Sequence, residues 1–197
     1  RKDLSVLVDV FNQITASSIL ITPSKVADIS GYVADSPDLI AVRNTLTGAA
    51  AIFEEAFPAE LVAGTFHIIE EINRKQLTDG LVRAAHSKKL DHFAESTEPL
   101  FIPSFAIAFK TTYSLAELKE AMIEIYEQDS VDPMFELDIA MVLGQGLVIR
   151  NWREGGRNYV ALETGEDTLK WFFLLMNEYL DAKPARELDL RQYVRET

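Results

Sequence analysis

The chain has 197 residues, of which 48% are hydrophobic and 25% are charged, and it carries a net charge of −12. These values are typical of a soluble globular protein, and we expect a single domain over residues 1–197 that buries about two thirds of its unfolded surface. The absence of cysteine excludes disulfides, thiolate metal sites and cysteine nucleophiles. The acidity disfavours a protein that holds a polyanion through its overall field, although a local basic patch could still bind one.

The sequence carries no sign of a membrane protein. No apolar run reaches the roughly 18 residues that a spanning helix requires, and the residues from Arg1 to Leu4 do not lead into a signal-peptide pattern. We therefore expect a cytoplasmic protein without a membrane partner. The sequence is also compatible with a homo-oligomer.

The first part of the chain combines one amphipathic helix with several short strands. Leu4, Leu7, Phe11 and Ile14 recur at helical spacing and predict a helix over residues 3–16. The next predicted elements are strands at 19–22, 31–33 and 38–43, an ambiguous segment at 24–29, and a connection with some helical character at 44–56.

One apolar run, from Phe57 to Ile72, is the element around which we expect the sheet to form. It is rich in β-branched and aromatic side chains, which is typical of a central strand covered on both faces. Glu60 and His67 are polar residues inside this run. Because an unpaired carboxylate in a dry strand is costly, we expect Glu60 to have a partner.

The second part continues with alternating helices and strands. Amphipathic spacing predicts a helix over residues 74–93, and the basic residues from His86 to Lys89 suit the negative end of its dipole. Ser114 and Glu117 form a capping box that opens a helix to about residue 128. The remaining predicted elements are strands at 102–109, 137–142, 147–152 and 158–162 and an apolar helix at 164–183. This order predicts an α/β fold with a mixed central sheet flanked by helices on both faces.

Three short motifs resemble those of a known nuclease superfamily. They are Ser36-Pro37-Asp38-Leu39-Ile40, Phe57-Pro58-Ala59-Glu60 and Val142-Leu143-Gly144-Gln145-Gly146-Leu147-Val148. Pro37-Asp38 matches the Pro-Asp half of the PD-(D/E)XK nuclease superfamily, and the set is similar to a bacterial family of uncharacterised nuclease-like domains. The resemblance covers most of residues 3–180 and implies a restriction-endonuclease-like fold.

The resemblance also implies a chemistry and a set of site residues. Such nucleases hold a divalent metal, Mg²⁺ or Mn²⁺, with carboxylates from two neighbouring strands, and a lysine positions or activates the attacking water. The family pattern places His67 where the second acidic ligand belongs and Ile69 where the lysine belongs. Ile69 cannot orient water, so we expect a degenerate Glu-X-Lys half and no bound cofactor. Lys75 of the following helix is a candidate for a migrated lysine.

His67 can be interpreted in three ways. It can be a buried, hydrogen-bonded core residue, a metal ligand beside Asp38 and Glu60, or a general base. A ligand set that contains an imidazole would suit Mn²⁺, Fe²⁺ or Zn²⁺ better than Mg²⁺. If the chain is active, Asp38, Glu60 and His67 are the candidate catalytic and metal-binding residues.

The densest basic patch lies near the C-terminal strands. Arg150, Arg153 and Arg157 are interleaved with Trp152 and Tyr159. Such a surface could bind nucleic acid or another protein by stacking and charge, which makes the arginines and Trp152 candidate binding residues. The sequence contains no Walker loop, dinucleotide-binding glycine motif, nucleophile elbow or His-Glu-X-X-His motif.

These observations support three functions. The first is a degenerate nuclease-like domain that acts by binding nucleic acid or a protein, without standard hydrolytic activity. The second is an active divalent-metal-dependent nuclease, a phosphodiesterase, with a rearranged site. The third is an acidic immunity or adaptor protein, which the charge of −12 favours. Site-selective metal binding distinguishes the second function from the others. A DNA affinity that falls steeply with salt distinguishes nucleic-acid binding from the adaptor function.

Overall fold

The computed structural model describes residues 4–34, 37–43, 56–90, 102–153 and 156–181. Its helices are α1 (Ser5–Ile14), α2 (Arg74–Lys88), α3 (Leu115–Gln128) and α4 (Thr168–Asp181). Its strands are β1 (Ile19–Thr22), β2 (Lys25–Ala27), β3 (Val33–Ala34), β4 (Leu39–Arg43), β5 (Ala56–Pro58), β6 (Val62–Ile72), β7 (Ser104–Thr111), β8 (Ile139–Val142), β9 (Gly146–Arg150) and β10 (Tyr159–Glu163). The predicted connection at 44–56 lies outside the described residues except for its last residue.

Seven strands form one mixed sheet in the order β1-β4-β6-β7-β8-β9-β10. Strand β4 pairs antiparallel with both β1 and β6, and β7 and β8 run parallel to β6. Strand β9 pairs antiparallel with both β8 and β10. A second, three-stranded sheet has the order β3-β2-β5. The predicted mixed central sheet is therefore confirmed, and the predicted neighbours β4 and β6 do pair.

Helices cover both faces of the large sheet, as predicted. One face packs against α2 and α3 through a core that includes Ile69 and Met122. The other face packs against α1 and α4 through a core that includes Phe66 and Phe172. Most of β6 is buried on both faces, which explains why its sequence is a nearly continuous apolar run. Among the described residues, no helix has the length and apolar composition to cross a membrane.

Local side chains set the beginnings of two helices. The Ser114 side chain accepts from the backbone N–H of Glu117, and the Glu117 carboxylate accepts from the Ser114 N–H at 2.8 Å. The predicted capping box is therefore confirmed. Helix α2 begins after Asn73, whose side chain accepts from the N–H of Gln76 at 3.0 Å. It ends at Lys88, before the predicted boundary at residue 93.

The apolar run from Phe57 to Ile72 does not form one strand. Its first residues belong to β5 of the small sheet, Ala59–Leu61 form a 3-10 turn, and β6 begins at Val62. The turn interrupts the ladder, so the two strands belong to different sheets. Glu60 consequently lies in the turn before β6 and not within the central strand.

A side chain occupies the outer edge of β1. The Asn12 amide on α1 donates to the carbonyl oxygen of Ile21 at 3.0 Å and accepts from the Ile21 N–H at 2.7 Å. The amide thus takes the place of a further strand, which protects this edge of the sheet from pairing. The opposite edge of the sheet is β10.

Candidate functional site

The pairing of β4 with β6 brings Asp38 opposite His67. The register pairs Leu39 with Phe66, and Asp38 precedes Leu39. The Asp38 N–H donates to the Phe66 carbonyl at 2.9 Å, and Asp38 Oδ2 accepts from the Ile68 N–H at 2.7 Å. Asp38 therefore fixes the start of β4 by binding the backbone of β6 through its side chain.

His67 and Ile69 lie on the face of β6 that packs against α2. The His67 side chain is fully buried, and its Nε2 lies 3.3 Å from Ser87 Oγ on α2. Ile69 is buried against Gly80, where a Cβ atom would lie only 2.7 Å from Ile69 Cδ1. The two positions that the family pattern assigns to an acid and a lysine are thus a buried imidazole and an apolar side chain under a helix.

The basic side chain beside Asp38 is Arg83. Its Nη1 lies 3.5 Å from Asp38 Oδ2, and both side chains are partly exposed. Lys75, the candidate for a migrated lysine, lies exposed in the first turn of α2. Arg83 lies two helical turns beyond Lys75 and is not among the predicted site residues, because only the packing of α2 against β6 brings it to Asp38.

Glu60 does not join Asp38 and His67. Because β4 and β6 are antiparallel, Asp38 lies beside the middle of β6, whereas Glu60 lies in the turn before its first residue. The strand from Val62 to His67 spans roughly 16 Å at about 3.3 Å per residue. The described part of the chain contains no group of three His, Cys, Asp or Glu side chains that could hold a metal ion. The expectation of a common site for all three residues is corrected accordingly.

A groove of about 590 Å³ lies between β6 and α2, and two of its lining residues, Ile68 and Arg83, contact Asp38. Ile68 and Ile69 contribute apolar surface, and the polar residues at its walls are Glu70, Gln76, Asp79 and Arg83. The groove combines carboxylates with one guanidinium and offers room for a small ligand or a polymer segment. Its position follows from the antiparallel β4–β6 pair and the helix that comes directly after β6.

The predicted basic patch is largely an internal ion network. Arg150 is buried and forms an ion pair with the buried carboxylate of Glu136. Arg157 Nε donates to Glu136 at 2.5 Å, and the Tyr159 hydroxyl donates to it at 2.8 Å. The prediction that Arg150 lies on a binding surface is therefore wrong, because Glu136 holds it in the interior. Arg153 is exposed.

A second buried carboxylate, Asp138, extends this network. It accepts from Lys88 Nζ at 2.6 Å, from the Ser104 N–H at 2.8 Å and from Trp152 Nε1 at 3.0 Å. Burial lowers the pKa of Lys88, and the Asp138 carboxylate opposes this shift. Lys88 is therefore a core residue and not a solvent-exposed partner of the helix dipole. Trp152 covers the network while remaining 41% exposed.

The sequence did contain a signal for this network. Glu136 and Asp138 flank a single leucine just before the buried strand β8. Carboxylates that enter a buried strand require cationic or hydrogen-bonding partners. The alternation predicts that such partners exist, but it does not identify Lys88, Arg150 or Arg157.

Comparison with known proteins supports the fold. No family model matches the chain, and no curated protein matches it. The solved structure of NucC from E. coli MS115-1 in its apo form matches with a TM-score of 0.76 and 16% identity, over 96% of this chain and 87% of that chain. The cAAA-bound form of the same protein matches with a TM-score of 0.74 and 17% identity, over 96% and 81%.

A third structure agrees with the first two. NucC from P. aeruginosa ATCC27853 in its cAAA-bound form matches with a TM-score of 0.70 and 16% identity, over 96% of this chain and 82% of that chain. A structural match at 16–17% sequence identity shows a common fold, but it does not show a common activity. The chain therefore has the restriction-endonuclease-like fold of the NucC nucleases, as its short motifs predicted.

Proposed function

We propose that this chain is a nuclease-fold domain that acts by binding and does not hydrolyse phosphodiesters by the standard mechanism. The observation that carries the proposal is the face of β6 beside Asp38. It presents His67, buried against Ser87, and Ile69, buried against Gly80. Neither residue provides the second carboxylate or the ammonium group that metal-assisted cleavage requires.

Arg83 supports the same conclusion. Its guanidinium lies 3.5 Å from the Asp38 carboxylate, and the other contact of Asp38 Oδ2 is the Ile68 N–H. A fixed positive charge at this distance supplies the neutralisation that a divalent cation would otherwise supply, and it repels such a cation. Asp38 then serves to fix the start of β4 against β6 and to position α2 through Arg83, which are structural roles.

The charge distribution favours a protein partner over nucleic acid. The chain carries a net charge of −12, and Arg150 and Arg157 both form ion pairs with Glu136 instead of presenting free cations to a polyanion. Of the predicted binding patch, Arg153 and Trp152 retain substantial exposure. An aromatic and one arginine suit a small contact with a protein better than a track for a polyanion. This agrees with the acidic adaptor function.

An active nuclease is the second candidate, and the groove beside Asp38 favours it. The groove has a volume of about 590 Å³, and Glu70 and Asp79 bring further carboxylates to it. A rearranged site would use Asp38 and His67 with a divalent metal, Mg²⁺ or Mn²⁺. For this to happen, Arg83 would have to leave Asp38 when the metal binds.

Calorimetric titration with Mn²⁺ and Mg²⁺ separates these candidates. We would compare the wild type with Asp38→Ala and with Asp9→Ala, which removes an exposed carboxylate of α1. We expect no saturable binding in any of the three proteins and no cleavage of plasmid DNA. Saturable binding that is lost in Asp38→Ala but kept in Asp9→Ala, together with cleavage, would replace the proposal by the active nuclease.

A binding screen then identifies the class of partner. Titration of duplex and single-stranded DNA at several salt concentrations should give weak binding with a shallow salt dependence. Affinity that falls steeply with salt and weakens in Arg153→Ala would support nucleic acid. Two of the similar structures are cAAA-bound forms, so cAAA belongs in the same screen.

A further inference from the structure

The outer edge of β10 carries a row of backbone groups that no described residue pairs. Hydrogen bonds join Asn158 and Thr164, which flank β10, to the side of the neighbouring strand β9. Because antiparallel hydrogen bonds alternate, the even-numbered residues of β10 face β9. Tyr159, Ala161 and Glu163 therefore direct their N–H and C=O groups away from the sheet.

Several features that often protect a strand edge are absent from the sequence and register of β10. Its sequence from Tyr159 to Glu163 contains no proline and no lysine, and its register with β9 has no bulge. Val160 is apolar and 48% exposed. The opposite edge of the same sheet differs, because the Asn12 side-chain amide hydrogen-bonds to both the N–H and the C=O of Ile21 in β1. Among the described residues, the β1 edge is closed, whereas the β10 edge is regular and open.

We propose that β10 pairs antiparallel with β10 of a second copy of this chain, about a two-fold axis at Ala161. In this register Ala161 faces Ala161 of the second copy, and Tyr159 faces Glu163. The three outward residues of each strand then exchange about six hydrogen bonds, two for each facing pair. A register centred on a neighbouring residue uses fewer of the outward groups. The result is a continuous sheet that runs through both copies.

The side chains of β10 are self-complementary in the same register. Val160 faces Leu162 of the second copy, which covers the exposed valine with a partly buried aliphatic side chain. Glu163 is the single charged residue of the strand, and it faces Tyr159 and not another Glu163. Two copies that each carry a charge of −12 repel one another, and a contact without facing carboxylates adds no local repulsion to this. An isologous contact of this kind closes as a dimer.

The contact is small. Two five-residue strands bury less area than the roughly 1,200 Å² of a typical stable complex, so we expect a dimer that forms at high protein concentration and dissociates on dilution. The pairing involves neither Asp38 nor the groove beside it. It therefore stands or falls independently of the proposed binding function.

Sedimentation equilibrium at micromolar to submillimolar concentrations tests the pairing. We expect the wild type to pass from monomer to dimer, and Val160→Lys to weaken the dimer by about tenfold or more because it places a cation beside Leu162 of the second copy. Ala161→Pro should do the same, because it removes an outward N–H without disturbing the ladder to β9. Val6→Lys, a matched change at a valine of α1 that is 70% exposed, should leave the dimer unchanged.

Site-resolved amide exchange and cross-linking identify the surface. In the dimer, the amides of Ala161 and Glu163 should become protected, whereas in the monomer only the even-numbered amides of β10 are. Because the chain has no cysteine, Ala161→Cys should form a disulfide-linked dimer on oxidation and Val6→Cys should not. A wild type that stays monomeric at every concentration would overturn the proposal. So would a dimer that is unaffected by both β10 substitutions, or one that leaves the outward amides in fast exchange.

Discussion

A Cβ atom on Gly80 of α2 would lie 2.7 Å from Cδ1 of Ile69 on β6. The helix thus comes very close to the central strand at Ile69, the position to which the family resemblance assigns a lysine. The absence of a side chain at Gly80 leaves room for the Ile69 side chain, so the helix packs directly on the strand. The isoleucine at residue 69 is therefore part of the packing of α2 against β6.

Gly80→Ala should destabilise the protein by about 1 kcal/mol, although alanine in a helix interior normally gains about that amount over glycine. Ile69→Val removes the clashing methyl group and should cost about 1 kcal/mol by itself. In the double variant, Gly80→Ala should become neutral or stabilising. Denaturant unfolding of the wild type, the two single variants and the double variant measures the coupling between the two residues in a double-mutant cycle. Strictly additive effects would show that the two residues do not limit the approach of the helix.

The buried ion pair between Lys88 and Asp138 should be essential to stability. Lys88→Met leaves the Asp138 carboxylate without its cation in the interior, and we expect a loss of about 3–5 kcal/mol. Arg74→Met removes the exposed pair with Glu124 and should have little effect on stability, because solvent screens this pair. Urea unfolding of the wild type and the two variants measures both losses of stability. Equal, small losses would indicate that water reaches Asp138 in the folded protein.

The turn between β8 and β9 should tolerate alanine at one glycine and not at the other. Gly146 has a φ of 156°, and a Cβ atom there would lie 2.1 Å from the carbonyl oxygen of Leu162 on β10. Gly146→Ala should therefore cost about 3 kcal/mol or more, because backbone must move. Gly144 has a φ of 75° with nothing within 4 Å of a Cβ atom, so Gly144→Ala should cost about 1 kcal/mol. Thermal unfolding that ranks the two variants in the opposite order would contradict the observed β9–β10 register.

Stability should fall at alkaline pH. Burial raises the pKa of Tyr179 to about 12 and raises the pKa values of Tyr126 and Tyr159 as well. The unfolded chain loses these protons near pH 10, where the folded chain still holds them, so the free energy of unfolding decreases as the pH rises from about 10 toward 12. The lowered pKa of Lys88 acts in the opposite direction, but it is a single group.

Tyr179→Phe tests the alkaline effect. The variant lacks one of the three protons, so its stability should decline less steeply between pH 10 and about 12 than that of the wild type. Urea unfolding at a series of pH values, with the tyrosinate absorbance followed in parallel, gives both quantities. Parallel declines in the two proteins would mean that Tyr179 ionises equally well in the folded state.

The candidate site was predicted only in part, because the tertiary course of the chain decides which residues meet. The family resemblance implied that β4 and β6 are neighbours, and they do pair. The resemblance also grouped Glu60 with Asp38, but the 3-10 turn at Ala59–Leu61 and the antiparallel direction of β4 separate them. Arg83 was missed because a helix position acquires a partner only when the helix docks.

The sequence by itself determined the order of the elements, the capping box at Ser114, the mixed sheet and the polar residues His67 and Asp38 at its centre. These depend on periodicity and on contacts within a few residues of the chain. The tertiary structure alone decided that Arg150 pairs with Glu136 in the interior and that Lys88 pairs with Asp138. Charges pair according to distance in space, and a sequence shows which groups need a partner when buried without showing which groups the fold brings within reach.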